Sequence, residues 1–237
     1  MAQKHVILVA GGRGLRFGGE TPKQLLLLGG KPLLAYAMER FYAYDSSIHI
    51  VLVLPEEALA QWRGGAIPHT LAVGGRTRFH SVQSALRVVG GEGLVAVHDG
   101  VRPLVSVATI AACFEEAERS GAAIPVVPLA DSVRRRSPGG GSAAVDRGEF
   151  CAVQTPQVFR AAVLHHAYEQ PFCTAFTDDA SVVEQAGYRV ALVPGNAENI
   201  KVTSPVDLVA VAAMLEARAA AGARECSAAT GLRNQNN

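Results

Sequence analysis

The sequence predicts an α/β domain of three layers, a mostly parallel sheet with helices on both faces, and three observations carry that expectation. Five short runs, VILVA (6–10), IHIVLVL (48–54), LVAVHD (94–99), GAAIPVVPL (121–129) and YRVALVPG (188–195), are β-branched and apolar at successive positions, as strands covered on both faces are. Segments with helical spacing lie between them, at 33–44, 79–89 and 107–120. The chain has 237 residues, 49% of them apolar, enough to bury one large core. Strand and helix in alternation around one core make the expected architecture Rossmann-like.

The elements follow in order. The strand at 6–10 runs into GGRGLRFGGETPKQ, which sets Arg13, Arg16 and Lys23 among glycines. Helix 33–44 and strand 48–54 come next, then Gly74-Gly75-Arg76-Thr77-Arg78 ahead of helix 79–89. Strand 94–99 ends in Asp99, helix 107–120 follows, and strand 121–129 leads to a segment that breaks the alternation. That segment, SVRRRSPGGGSAAVDRGEFCAV (132–153), reads as two short strands around a Pro-Gly-Gly-Gly turn and is too polar for a core hairpin. It is expected to project as a β-arm, whose open strand edges a partner subunit would cover. The last helix opens at Ser204-Pro205-Val206-Asp207, which supplies an N-cap, a proline at the first helical position and an acidic third residue. Its periodicity runs to about residue 221, so residues 1–221 form the expected domain and 222–237 a disordered tail.

Charge and composition exclude several functions. A net charge of +1 offers no field for nucleic acid or an anionic membrane as the main partner. The apolar runs at 6–10 and 208–215 are too short for a signal peptide or a membrane span, so a cytoplasmic protein is expected. Cys113, Cys151, Cys173 and Cys226 are widely spaced with no CxxC pair, and they read as reduced thiols.

A glycine-rich loop at the carboxyl end of a strand lets backbone N–H groups approach an anion, and phosphate is the obvious one. A dinucleotide fingerprint fails because Phe17 occupies the third glycine position and the first acid ending a second strand is Glu56. A P-loop fails because Pro32 follows Gly30-Lys31 and Leu25 stands where its first glycine belongs. Arg13, Arg16 and Lys23 around the glycines suit the triphosphate of a nucleotide undergoing cleavage.

The stretch VAGGRGLRFGGETPKQLLLLGGKPLL resembles the N-terminal signature of nucleotidyltransferases. Further blocks narrow the resemblance to the 2-C-methyl-D-erythritol 4-phosphate cytidylyltransferases of the non-mevalonate isoprenoid pathway: Gly74–Arg78 with Ser81-Val82, His98–Pro103, Asp131-Ser132, Gln154–Gln157, Thr177–Ser181 and Glu198–Thr203. They lie in the family's order and cover nearly everything but the tail. Phe17 stands where the family commonly has Met, Gly100-Val101 where Ala-Ala is frequent, and Ser132 where Thr is frequent.

The resemblance implies an enzyme that moves CMP from CTP to 2-C-methyl-D-erythritol 4-phosphate and releases pyrophosphate, and the projecting arm leads to the expectation of a two-fold homodimer. It implies Arg16, Lys23 and Lys201 as catalytic cations, and Ala10, Gly11, Gly12, Gly14, Gly75, Arg76, Ser81 and Gly100 around CTP. It also implies Arg102, Ser132, Arg147, Thr155 and Lys201 at the acceptor, and Asp99 as the protein ligand of Mg²⁺ or another divalent cation. Arg147 would reach the partner's site from the arm. His98 is expected to be structural, Asp178 and Asp179 structural or capping, and Arg134–Arg136 a solvated run. A ribitol 5-phosphate cytidylyltransferase and a non-catalytic nucleotide-binding protein of the same fold remain as alternatives.

Overall fold

The computed structural model describes residues 2–10 and 23–233, with residues 23, 219 and 221–233 as backbone alone. Twelve strands occur among them: β1 (Lys4–Val9), β2 (Leu27–Leu28), β3 (Lys31–Pro32), β4 (His49–Leu54), β5 (Thr70–Val73), β6 (Leu94–Asp99), β7 (Ala122–Pro128), β8 (Arg134–Arg136), β9 (Ser142–Ala144), β10 (Cys151–Val153), β11 (Gln157–Arg160) and β12 (Ala191–Pro194). The helices are α1 (Leu33–Tyr44), α2 (Glu56–Leu59), α3 (Arg78–Leu86), α4 (Val107–Ser120), α5 (Ala161–Ala167), α6 (Asp179–Gln185) and α7 (Pro205–Arg233).

The main sheet runs β12, β7, β11, β6, β1, β4, β5, with β10 continuing the β11 side of β7. β6, β1, β4 and β5 run parallel to one another, so their carboxyl ends share one edge. β12 is parallel to β7, whereas β11 is antiparallel to both β6 and β7. The parallel α/β reading of the sequence thus holds for the sheet, with β11 as an antiparallel insert.

Alternate residues of the same strand serve opposite layers, the period-2 consequence of a pleated backbone. Leu8, Ile50 and Leu52 pack with Phe41 of α1 and Phe114 of α4 on one face. Ile7, Val9, Val51 and Val97 pack with Phe79 and Val82 of α3, Leu164 of α5 and Val183 of α6 on the other. This two-sided burial is the physical origin of the continuous apolar runs. α4 shows how a helix is bounded: the Ser106 hydroxyl accepts from Thr109 N–H at 2.9 Å, and Gly121, at φ +92°, takes the left-handed position after its end.

Two boundaries differ from the sequence reading. Cys151–Val153 pairs antiparallel with Val126–Pro128, so the end of the 132–153 segment belongs to the main sheet and only the β8–β9 hairpin stands apart. Val126 and Val127 supply β-branched partners that the polar hairpin lacks. The final helix opens as expected, with Asp207 Oδ2 accepting from Ser204 N–H at 2.7 Å, but it continues past residue 221 to Arg233. The segment beyond 221 is alanine-rich and free of proline, and a glycine costs a helix only about 1 kcal/mol. Among the described residues no helix is long and apolar enough to cross a membrane, and Cys113, Cys151 and Cys173 are free thiols.

Candidate active site

Parallel strands deliver their last residues to a common edge, and in open α/β sheets ligands bind beyond that edge. Here Val9 and Ala10 after β1, Pro55 to Glu57 after β4, Val73 to Arg78 after β5 and Asp99 ending β6 line a cavity of about 740 Å³, with Gln24, Ser81, Val101 and Lys201.

Asp99 is the electrostatic centre. Its carboxylate receives Lys201 Nζ at 2.9 Å and Arg102 Nε at 3.2 Å on Oδ2, and Arg78 Nε at 3.4 Å on Oδ1. Burial alone would raise its pKa, yet the charges of Arg78, Lys201 and Arg102 outweigh that and hold it well below the usual carboxylate range. Arg78, Arg102 and Lys201 thus stand around one acid, with Arg76 lining the same cavity beside Glu56 and Glu57, so fixed cations are at hand for a polyanionic ligand.

The acid is held from behind. Asp99 N–H donates to Thr155 Oγ1 at 3.1 Å, and Thr155 in turn bonds His98 Nδ1 at 2.9 Å. His98 Nε2 faces the Arg102 carbonyl at 3.0 Å, and a carbonyl only accepts, so Nε2 carries the proton and Nδ1 accepts from Thr155. Arg102 Nη1 donates to the Asn199 carbonyl at 2.8 Å, and Asn199 Nδ2 donates to the Thr155 carbonyl at 2.8 Å. Thr155 is therefore buried beneath the acid and braces it.

Burial holds His98 neutral, with its pKa lowered to about 4 from the ordinary 6.5. Between those values the unfolded chain binds a proton that the native one does not, so this contribution is full above about pH 6.5 and is lost as pH falls toward 4. Asp99, depressed as well, acts in the same direction on further acidification. The unfolding free energy is expected to fall by about 2–3 kcal/mol between pH 7 and pH 4.5 from His98 alone. Urea unfolding across that range checks it, and histidine ring NMR should show one imidazole still neutral at pH 5; a His98 that titrates near 6.5 would contradict the assignment.

Gly75 marks a close approach. A Cβ there would lie 2.4 Å from His80 Cβ, and its N–H donates to Ser81 Oγ at 3.1 Å. Ser81 Oγ also donates to the Thr77 carbonyl at 3.0 Å, so this hydroxyl shapes the 74–78 turn as well as lining the cavity. Gly100 has a different reason to be glycine: a Cβ would meet Leu34 Cδ1 at 2.6 Å and Ala10 Cβ at 3.2 Å, which sets it in the packing below the site.

Of the residues expected at the site, Ala10, Gly75, Arg76, Ser81, Asp99 and Lys201 line the cavity, with Arg102 and Thr155 one contact behind it on Asp99. Ser132 and Arg147 are exposed on the arm segment, where Arg147 Nη1 donates to the Ala130 carbonyl, and neither lines the cavity. Gly11, Gly12, Gly14 and Arg16 lie outside the described residues, as does the side chain of Lys23.

Two residues, Arg78 and Gln24, were passed over in the sequence, whereas Asp178 and Asp179 take the capping and structural roles expected of them. Arg78 joins Asp99 to the fully buried Asp179, whose Oδ2 it meets at 2.7 Å while Tyr168 donates to Oδ1 at 2.6 Å. Asp178 caps α6 by accepting from Ser181 N–H at 2.9 Å, so the adjacent acids divide into a cap and a buried ion pair. Gln24 is fully buried against the cavity, and among the described residues neither of its amide atoms has a hydrogen-bond partner. Only the second arginine of Gly74–Arg78 hinted at Arg78.

Over residues 4–217 the chain matches the family described as IspD, 2-C-methyl-D-erythritol 4-phosphate cytidylyltransferase. The chain belongs to that family. The family protein of Phocaeicola vulgatus is 54% identical over 211 residues, spanning 86% of this chain and 96% of its own. That of Bacteroides fragilis is 51% identical over 215 residues, spanning 88% and 98%. The crystal structure of the 2-C-methyl-D-erythritol 4-phosphate cytidylyltransferase from Thermus thermophilus matches with a TM-score of 0.74 at 34% identity, over 90% of this chain and 98% of that one. Membership of the cytidylyltransferase family makes this chain a nucleotidyltransferase, and its cation-rich cavity at the strand ends suits that chemistry.

Proposed function

We infer that this cavity transfers CMP from CTP to 2-C-methyl-D-erythritol 4-phosphate, giving the 4-diphosphocytidyl product and pyrophosphate. The observation that carries the reading is the convergence of Arg78, Arg102 and Lys201 on Asp99 at the parallel strand ends, in a chain whose sequence after β1 carries Arg16 and Lys23. An oxygen of the acceptor phosphate bonds to the α-phosphorus of CTP, and the α–β bridging P–O bond breaks with its electron pair leaving on pyrophosphate. The attacking phosphate is already an anion near neutral pH, so no general base is needed. The barrier lies in bringing two polyanions together and holding the extra charge at phosphorus, and fixed cations answer both.

Arg16, Lys23 and Lys201 are the cations we assign to that charge, with Ala10, Gly11, Gly12 and Gly14 giving backbone access to the triphosphate. Gly75, Arg76 and Ser81 frame the base and ribose, while Arg102, Thr155 and Lys201 serve the acceptor side. A divalent ion fits one place. Among the described residues no three His, Cys, Asp or Glu groups gather for a metal, but Asp99 lines the cavity and its Oδ1 has only the long side-chain contact from Arg78. One carboxylate suffices for Mg²⁺ when phosphates and waters supply the other oxygens, and the ion would neutralise phosphate charge.

Pyrophosphate release tests the reading. CTP with methylerythritol phosphate is expected to turn over at least about tenfold faster than either UTP with that acceptor or CTP with ribitol 5-phosphate, because a wrong base or acceptor leaves pocket groups unpaired. Equal rates with ribitol 5-phosphate would move the assignment to that acceptor, and no release with any would end it.

We further propose a cytoplasmic two-fold dimer in which Ser132 and Arg147 of one arm complete the acceptor pocket of the other subunit. The support is that both are exposed on the arm and absent from the chain's own cavity, with Phe150, Val153 and Leu192 as exposed apolar neighbours for a partner to cover. In a mixed dimer of Lys23→Ala and Arg147→Ala chains, one site then carries both lesions and one carries neither. Co-refolding the two weak variants in equal amounts is expected to restore about a quarter of the parent activity. No recovery, with mixed dimers confirmed by mass, would rule out a shared site.

A further inference from the structure

A second cavity, of about 530 Å³, opens between α1, the β2–β3 hairpin and α7. Leu28, Tyr36, Pro103 and Leu215 give it apolar walls, and two guanidiniums, Arg40 and Arg218, enter it from facing helices. Neither lines the active-site cavity.

Both arginines are tethered, each by a single bond to the same turn of chain. Arg40 Nε donates to the Val105 carbonyl at 3.0 Å, and Arg218 Nη2 donates to the Leu104 carbonyl at 3.3 Å. Adjacent carbonyls thus draw two positive groups together, and among the described residues their remaining N–H donors have no hydrogen-bond partner. Arg40 is partly desolvated, and burial together with the like charge of Arg218 lowers its pKa.

Glu39 and Glu216 also line the cavity, and the charges of Glu39 and Glu198 act on Arg40 and Arg218, but Glu39 is clasped by Lys31 at 2.7 Å, Glu198 accepts from Asn196 at 3.1 Å, and among the described residues no acid forms an ion pair with either arginine. Two guanidiniums side by side over an apolar wall are costly without an anion, and their planar donor forks match the oxygens of a phosphate or carboxylate. A concave apolar site with a few convergent polar groups is the usual form of a small-molecule pocket.

We propose that this cavity is a second ligand site, one that takes an amphipathic anion whose phosphate or carboxylate head bridges Arg40 and Arg218 and whose apolar body lies against Leu28, Tyr36, Pro103 and Leu215. A head group alone would leave the walls wet, and an apolar body alone would leave the arginines unpaired. Both parts are needed.

Calorimetric titration of the full chain with octyl phosphate, octanoate and the neutral octanol, in the presence of saturating CTP to occupy the active site, tests it. One of the two anions is expected to bind with one site per chain, at least about tenfold more tightly than octanol, and the tighter of the two identifies the head group. Arg218→Gln, on the partly exposed face of α7, is expected to weaken it about tenfold, Arg40→Gln with Arg218→Gln more, and Arg218→Lys less than Arg218→Gln. Circular dichroism melting of each variant guards against misfolding, and Arg218→Gln decides the matter if the double variant fails to fold. Binding of octanol as tight as that of the anions, unchanged binding by Arg218→Gln, or no binding of either anion would overturn the proposal.

Discussion

Replacing Asp99 by asparagine is expected to lower kcat for cytidylyl transfer by about a hundredfold or more in a chain that still folds. Asparagine keeps the shape and the backbone N–H bond to Thr155, so the end of β6 stays braced. It removes the charge on which Lys201 at 2.9 Å, Arg102 at 3.2 Å and Arg78 at 3.4 Å converge. Those cations then repel one another and turn outward, away from the positions where charge builds at phosphorus. Preorganised charges of this kind contribute about a hundredfold to a thousandfold each when removed singly from a water-poor site. Saturating both substrates and following pyrophosphate measures the effect in kcat rather than KM, which is where an interaction specific to the transition state acts. A kcat within about threefold of the parent would show that the cluster serves binding or folding alone.

Asp179→Asn is expected to cost about 3 kcal/mol of stability with a smaller effect on turnover. Asp179 is fully buried and accepts two donors, Arg78 Nη2 at 2.7 Å and Tyr168 Oη at 2.6 Å. Asparagine offers one carbonyl oxygen for them and an N–H pair that faces one of the two donors, so a buried group is left unpaired. Breaking a buried ion pair by removing one partner costs about 3–5 kcal/mol, and the Arg78 side chain, 26% exposed, keeps enough water contact to hold the loss near the lower end. The urea midpoint should fall with little change in the slope of the transition. An unchanged midpoint would mean that the Arg78–Asp179 pair contributes nothing net.

Much of the domain was legible because the central strands β1, β4 and β6 are buried on both faces. Ile7 and Leu8, or Val51 and Leu52, are adjacent in sequence and serve opposite cores, which forces an unbroken apolar run and separates these strands from amphipathic helices. β11 was not legible: Gln157–Arg160 is short, begins with a buried glutamine and ends with an exposed arginine, and its place between β6 and β7 depends on Val158 and Phe159 meeting residues far off in the chain. The end of α7 was misjudged for a local reason, since alanine and small polar residues are compatible with a helix and with no structure at all.

The chemistry divides along the same line. By itself the sequence determined the α/β class, an acid at the end of β6 and the family resemblance, because these follow from short spacings and from side-chain types. Tertiary structure alone decided what each side chain does with its neighbours. Arg78 and Asp179 lie 101 positions apart and meet at 2.7 Å, Asp99 is reached by Lys201 from beyond α6, and Thr155 lies under the acid rather than in the open cavity. The second cavity likewise exists only because α1 and α7 bring Arg40 and Arg218 to adjacent carbonyls. The physical reason is range: propensity and periodicity act over a few residues, whereas an ion pair forms wherever packing sets two charges within a few ångströms, and the spacing along the chain carries no record of it.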